Sequence, residues 1–278
     1  MMWRMRTILL FLAIALILML LATACDSNCA ANTEGERQAH LNFIAQGITD
    51  AQLVEMVASG EIHEDINGLV LTSNSISDLT PLAELTELRQ LTLSDNPISD
   101  ISPLSGLTNL TSLVIAEGNI SDLTPLSGLT NLTILNLSNN PVSDLAPLSG
   151  LVNLEVLILH HCQISDLTPI EELSNLSRIH LNHNQVSDLS PLSRLINLNT
   201  LYLANNLIVD ITPISGLINL EDVDVSNNQI SDAMPLGELA NMRVLNILNN
   251  PQITQDQIDD LLRVLPDSCF RGIREGDT

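Results

Sequence analysis

A heptad of letters, I-S-D-L-T-P-L at Ile76 to Leu82, returns every 22 residues without one insertion. Copies begin at positions 76, 98, 120, 142, 164, 186, 208 and 230, so eight full units fill residues 76–251. No other feature constrains the fold as strongly. A unit this short cannot bury its own leucines, so it is stable only when stacked on its neighbours. The whole unit reads I-S-D-L-T-P-L-x-x-L-x-x-L-x-x-L-x-L-x-x-N-x. Its third-place Asp (Asp78 in the first copy), sixth-place Pro (Pro81) and tenth-place Leu (Leu85) recur in all eight. A truncated unit, Ile66-x-x-Leu69-x-Leu71-x-x-Asn74, precedes them in register.

The letters of one unit dictate its local structure. Leu135-Asn136-Leu137 alternates with a period of two, which predicts a short strand buried on one face. Asn140 closes it, and an amide with both donors and acceptors can serve the backbone of a sharp bend and of the adjacent coil. Gly118 and Cys162 stand in for that Asn in two units, which predicts a weaker ladder there. Thr124 then reads as a cap and Pro125 as the first position of a helical turn. Few residues remain before the next strand, so that turn is a piece of 3₁₀ or α-helix at most. The expected fold is an α/β solenoid: a right-handed coil with a parallel β-sheet on its concave face and short 3₁₀ or α turns on its convex face.

The 22-residue spacing, with S-D-L-T-P-L and L-T-N-L-x-x-L-x-L-x-x-N at Leu129 to Asn140, resembles the internalin-type leucine-rich repeat. That resemblance covers residues 66–251. It implies extracellular recognition of a protein through the concave sheet, and it names no partner.

Both ends carry candidate caps. Thr49-Asp50-Ala51-Gln52 is a capping-box pattern opening an amphipathic segment through Leu53, Met56 and Val57, closed by Gly60, within an N-terminal cap at 48–65. Thr254 opens another within 252–278, with Ile258, Leu261, Leu262 and Leu265 expected on one face before Pro266. Ahead of the N-terminal cap, residues 25–47 read as a polar tether.

Residues 1–24 read as an export signal: Arg4 and Arg6, then an uncharged apolar run from Ile8 to Leu21, then the small residues Ala22-Thr23-Ala24 before Cys25. The stretch resembles a bacterial lipoprotein signal, which implies that Cys25 is lipidated and tethers the chain to a membrane of the bacterial envelope. Ordinary secretory cleavage and an uncleaved anchor remain open readings of the same letters, and export is common to all three.

Composition narrows the function. Lysine is absent, all ten basic residues are arginines, and 33 acidic residues bring the net charge to -23. Such a surface repels phosphate backbones, so no nucleic-acid partner is expected. Without lysine there is neither Schiff-base chemistry nor a P-loop. No G-x-S-x-G, H-E-x-x-H or G-x-G-x-x-G occurs. With an unbroken period leaving no inserted loop to wall a pocket, neither an enzyme nor a cofactor is expected.

Function is expected on the strand positions that flank the buried leucines. Three columns cross the sheet, and most of their entries are small and polar. The middle differs: Ile134, Val156, Ile158, Arg178, His180 and Tyr202 form an apolar, aromatic and cationic cluster, with Asp222 and Asp224 beyond it. Tyr and Arg are enriched at interface hot spots, so this cluster is the candidate protein-binding site. Four of the six histidines, His160, His161, His180 and His183, fall in two adjacent units. His160 and His180 are therefore the candidates for a metal-dependent alternative, although no metal is expected. A structural spacer without a specific ligand is the remaining alternative. The Asp of each unit is read as a turn residue rather than a calcium ligand, because single carboxylates one coil apart supply too few oxygens.

Overall fold

The computed structural model describes residues 40–265. Arg4, Arg6, Cys25, the apolar run between them and most of the expected tether lie outside that range. Ten three-residue strands form one parallel sheet in chain order. They are β1 (His40–Asn42), β2 (Gly68–Val70), β3 (Gln90–Thr92), β4 (Ser112–Val114) and β5 (Ile134–Asn136), then β6 (Val156–Ile158), β7 (Arg178–His180), β8 (Thr200–Tyr202), β9 (Asp222–Asp224) and β10 (Val244–Asn246). Each full unit returns to the next strand through one 3₁₀ turn, such as Thr124–Leu126. This is the expected solenoid. Among the described residues no helix is long and apolar enough to cross a membrane.

A constant period puts equivalent residues side by side. Leu113 pairs with Leu135, Leu135 with Leu157, and Leu157 with Ile179, and the same register runs through every strand from β2 to β10. The side chains of this row point into the core and are buried. Behind them, leucines and isoleucines from the 3₁₀ turns complete an aliphatic interior in which Leu151 and Leu173 have no solvent exposure.

Asparagine fastens each bend. Asn184 Nδ2 donates to the carbonyl of Leu181 in its own coil at 3.0 Å and to that of Leu159 in the previous coil at 2.8 Å. Its Oδ1 accepts from the N–H of Ile164 at 2.9 Å. Asn96, Asn140, Asn206, Asn228 and Asn250 repeat the pattern. The residue before each of these asparagines is left-handed, and in several units it is itself Asn (Asn139, Asn205, Asn227, Asn249), a residue that tolerates that conformation. Glu117, His161 and His183 hold the same positive φ without being Asn. Cys162 makes a poorer copy of the ladder, its Sγ lying 3.5 Å from the Leu137 carbonyl.

The turns correct one expectation. Thr124 does not cap its 3₁₀ segment; Leu123 occupies the capping position and no side chain caps there. Asp122 does the work instead, accepting from the N–H of Thr124 at 2.8 Å. Every full unit repeats this bond, from Asp78 with Thr80 to Asp232 with Met234. The carboxylate reaches two residues on because the short side chain of Asp closes an Asx turn.

At the N-terminal end, α1 (Asp50–Ala58) opens with the expected capping box between Thr49 and Gln52 and buries Leu53 and Met56. The expected tether ends earlier than position 47, because His40–Asn42 forms β1 and pairs with β2. Leu41 and Phe43 pack on the core. That strand escapes the periodicity because α1 lengthens the connection from Leu41 to Leu69 beyond one repeat. At the other end, α2 (Gln255–Val264) is capped by Thr254 and buries Leu261. Leu262 is exposed, so the apolar stripe is narrower than expected.

Candidate protein-binding surface

Alternation decides which side chains reach the open face of the sheet. In β5 to β9 the central residue is buried, so its two neighbours project from the opposite face. The register then aligns two rows. The first runs Ile134, Val156, Arg178, Thr200, Asp222, and the second Asn136, Ile158, His180, Tyr202, Asp224. Adjacent entries are one strand spacing apart, about 4.8 Å. All eight residues expected to bind a partner thus lie on one face within five consecutive strands.

Their chemistry changes in order along the coil. Ile134, Val156 and Ile158 form an apolar area on β5 and β6, each half-buried between its neighbours. On β7 stands Arg178. Among the described residues Arg194, Arg243 and Arg263 each form an ion pair, but the Arg178 guanidinium has neither an ion pair nor a hydrogen bond. The His180 ring stacks on Tyr202 with centroids 4.5 Å apart. The Tyr202 hydroxyl donates to Asp222 Oδ2 at 2.6 Å. Burial first, then the Asp222 hydrogen bond and charge, push the Tyr202 phenol above its ordinary range, so it stays a donor. Asp224 is engaged on both oxygens: Oδ1 accepts from the N–H and hydroxyl of Ser226, and Oδ2 from Asn246.

The histidines do not converge. His160 Nδ1 lies 3.2 Å from the Ser138 hydroxyl, and its ring meets His161 edge-on. His161 stacks on His183 at 4.0 Å, while His180 belongs to Tyr202. Burial, followed by neighbouring histidines, drops His160 to about 4, and burial, followed by Arg178, drops His180 to about 4. Among the described residues no group of three or more His, Cys, Asp or Glu is placed to hold a metal ion.

Two features escaped the sequence reading. Asn136 is buried in the second row, and its Oδ1 accepts from the Ser138 hydroxyl and N–H. A second asparagine ladder lies outside the sheet: Asn131 donates to the carbonyl of Thr108 at 2.9 Å, and Asn109, Asn153, Asn175, Asn197, Asn219 and Asn241 repeat the bond. The recurrent N in L-x-N-L was its signal.

The model of the leucine-rich-repeat family, which spans two copies of the repeat, matches in overlapping windows from residue 66 to 236. The crystal structure of internalin C2 from Listeria monocytogenes is 36% identical with a TM-score of 0.61, over 68% of this chain and 80% of that one. The chain is an internalin-type leucine-rich-repeat protein. A second Listeria internalin, InlF, is 34% identical with a TM-score of 0.57 over 67% of this internalin-type chain, which spans only 62% of InlF. The ectodomain of the plant receptor kinase GASSHO1 from Arabidopsis thaliana, solved in complex with Casparian strip integrity factor 2, is 25% identical. Its TM-score is 0.58, over 66% of this internalin-type chain and 24% of the receptor chain. No curated protein matches this internalin-type chain.

Proposed function

We propose that this internalin-type protein is a non-catalytic binding module that takes a protein partner on its concave sheet, centred on Tyr202. One observation carries the reading. Ile134, Val156, Ile158, His180 and Tyr202 form a continuous apolar and aromatic surface across four strands of a face whose other entries are mostly small or polar. Clustered apolar and aromatic side chains on a solvated surface mark interaction sites. The plant ectodomain, whose fold is similar, is itself solved in complex with Casparian strip integrity factor 2. The absence of any inserted loop in the repeat supports binding over catalysis.

Display on the bacterial envelope belongs to the same proposal, with Cys25 as the lipidated first residue of the mature chain. Mass spectrometry of the mature N-terminus tests it. An unmodified terminal Cys25 refutes the lipid anchor and leaves export standing. Binding is tested by crosslinking the full chain in envelope extract beside Tyr202→Ala. A partner lost only from the variant supports the concave site, and equal capture by both refutes it. No capture by either favours the spacer.

A further inference from the structure

The two rows on the open face are ordered by charge as well as by shape. Ile134 and Val156 are followed by Arg178, then the small Thr200, then Asp222. Beside them run Ile158, His180, Tyr202 and Asp224. The sequence of chemistries along the coil is therefore apolar, cationic, aromatic, anionic. We infer that the partner lays an extended segment across these strands, carrying an apolar, an acidic and a basic side chain at alternate positions. The inference rests on the concave-face reading and specifies the partner's chemistry.

Charge complementarity carries it. A half-buried arginine without an ion pair is unusual in a chain of net charge -23, where acidic partners abound. Among the described residues Arg178 has none, and its rigid fork of donors fits a carboxylate supplied from outside. The histidine next to it stays neutral because of burial and Arg178, so the positive charge of this strand is concentrated on one guanidinium. Two strands on, Asp222 gives only Oδ2 to Tyr202; no hydrogen bond among the described residues engages Oδ1. Tyr202 adds an aromatic wall beside it, one face of which is covered by His180. A carboxylate beside a tyrosine ring suits an ammonium or guanidinium group.

Spacing turns the pattern into a motif. Arg178 and Asp222 are two strand spacings apart, about 10 Å. Side chains on one face of an extended chain recur about every 6.7 Å. An acidic residue over Arg178 thus places the second residue beyond it about 3 Å short of Asp222, a gap that the long stem of Arg or Lys spans. In the other direction the second residue falls between Val156 and Ile134. The expected segment reads apolar-x-acidic-x-basic, or its reverse if the chain runs the opposite way.

The probe is a phage-displayed library of random dodecapeptides, panned on the full chain. The expected result is enrichment of that pattern. A synthetic peptide carrying it should then bind about tenfold more weakly to Arg178→Gln and to Asp222→Asn, as truncated charge pairs do at interfaces. The loss at Arg178→Gln should disappear when the peptide's acidic residue is neutralised, and the loss at Asp222→Asn when its basic residue is neutralised. Enriched peptides lacking the pattern, which bind both charge variants like the parent but not Ile158→Ala or Tyr202→Ala, overturn the inference and leave the concave-face reading intact. No enrichment at all overturns both.

Discussion

Tyr202 donates a 2.6 Å hydrogen bond to Asp222 on the next strand while its ring rests on His180 of the previous one. One side chain therefore links three strands across the open face and is held in place before any partner arrives. Preorganised aromatic side chains cost little entropy on binding. Tyr202→Ala should weaken partner binding by roughly 2 kcal/mol or more. Tyr202→Phe keeps the ring and should lose less, because only the hydroxyl goes and Asp222 becomes fully available. Arg178→Ala and Ile158→Ala should weaken binding as well, whereas Thr92→Ala and Ser94→Ala, on and just after β3, should not. Isothermal calorimetry reads the series, and circular dichroism checks that the fold is intact. An affinity flat across Tyr202, Arg178 and Ile158 contradicts the site.

The core makes a different demand. Leu151 and Leu173 are fully buried among aliphatic neighbours. Replacing either with Ala should cost roughly 2–5 kcal/mol, from lost burial and the cavity left behind. Coupled coils should pass the damage to adjacent units. Chemical denaturation measures it, and a variant that unfolds at the parent's midpoint contradicts the packing.

The solenoid was legible because Leu135, Leu157 and their equivalents recur at a fixed interval, and a fixed interval admits one register. What broke the interval was not legible. His40–Asn42 joins the sheet across the longer connection made by α1, and three letters are too few to announce a strand. The face of the candidate site was legible too, since alternation alone puts Arg178 and Tyr202 on one side. Their hydrogen-bond partners were not. Asn136 and His180 occupy equivalent places, yet Asn136 bonds Ser138 and His180 stacks on Tyr202. Those choices depend on rotamers that a repeat pattern does not encode. Asp122 is the turn residue its letter implied, whereas Thr124 supplies an N–H and no cap, because either side chain can cap a turn and only backbone geometry selects which one does.

Acid should unfold the protein in two stages. His160 and His180 sit at about 4 in the fold, chiefly through burial, and His161 and His183 are lowered by burial as well. An unfolded histidine titrates near 6.5. Between those values the unfolded chain binds protons that the folded chain refuses, so stability is full above pH 6.5 and falls as pH drops toward 4. Asp100, Asp122, Asp166, Asp188 and Asp210 are held below the usual carboxylate range by hydrogen bonds from the Ser or Thr two residues on. Their contribution is present above the unfolded value and is lost as pH falls through the lower folded one. Glu117, raised by burial and then by Asp95, works the opposite way and offsets a little of the first stage. The melting temperature should fall between pH 7 and 4.5, and by about 2 °C less at minimum in His160→Gln/His180→Gln. Equal falls in parent and variant contradict the histidine stage.

The asparagine ladder offers a gain of stability as its test. In most units the amide serves three backbone groups, as Asn184 serves Leu159, Leu181 and Ile164. At Cys162 a sulfur lies 3.5 Å from the Leu137 carbonyl and 3.8 Å from that of His160. Sulfur is a weak donor and acceptor, so these bends are under-served. Burial pushes the Cys162 thiol up to about 11, which keeps it protonated and unreactive at neutral pH. Cys162→Asn should therefore raise stability by about 1 kcal/mol, the net value of an ordinary hydrogen bond. Asn184→Ala should lower it by about 1–3 kcal/mol, because buried carbonyls and an N–H lose their partners. Denaturant midpoints separate the two. If Cys162→Asn is destabilising, the space beside Leu137 and His160 does not admit the amide, and the thiol is there for its smaller demand on packing.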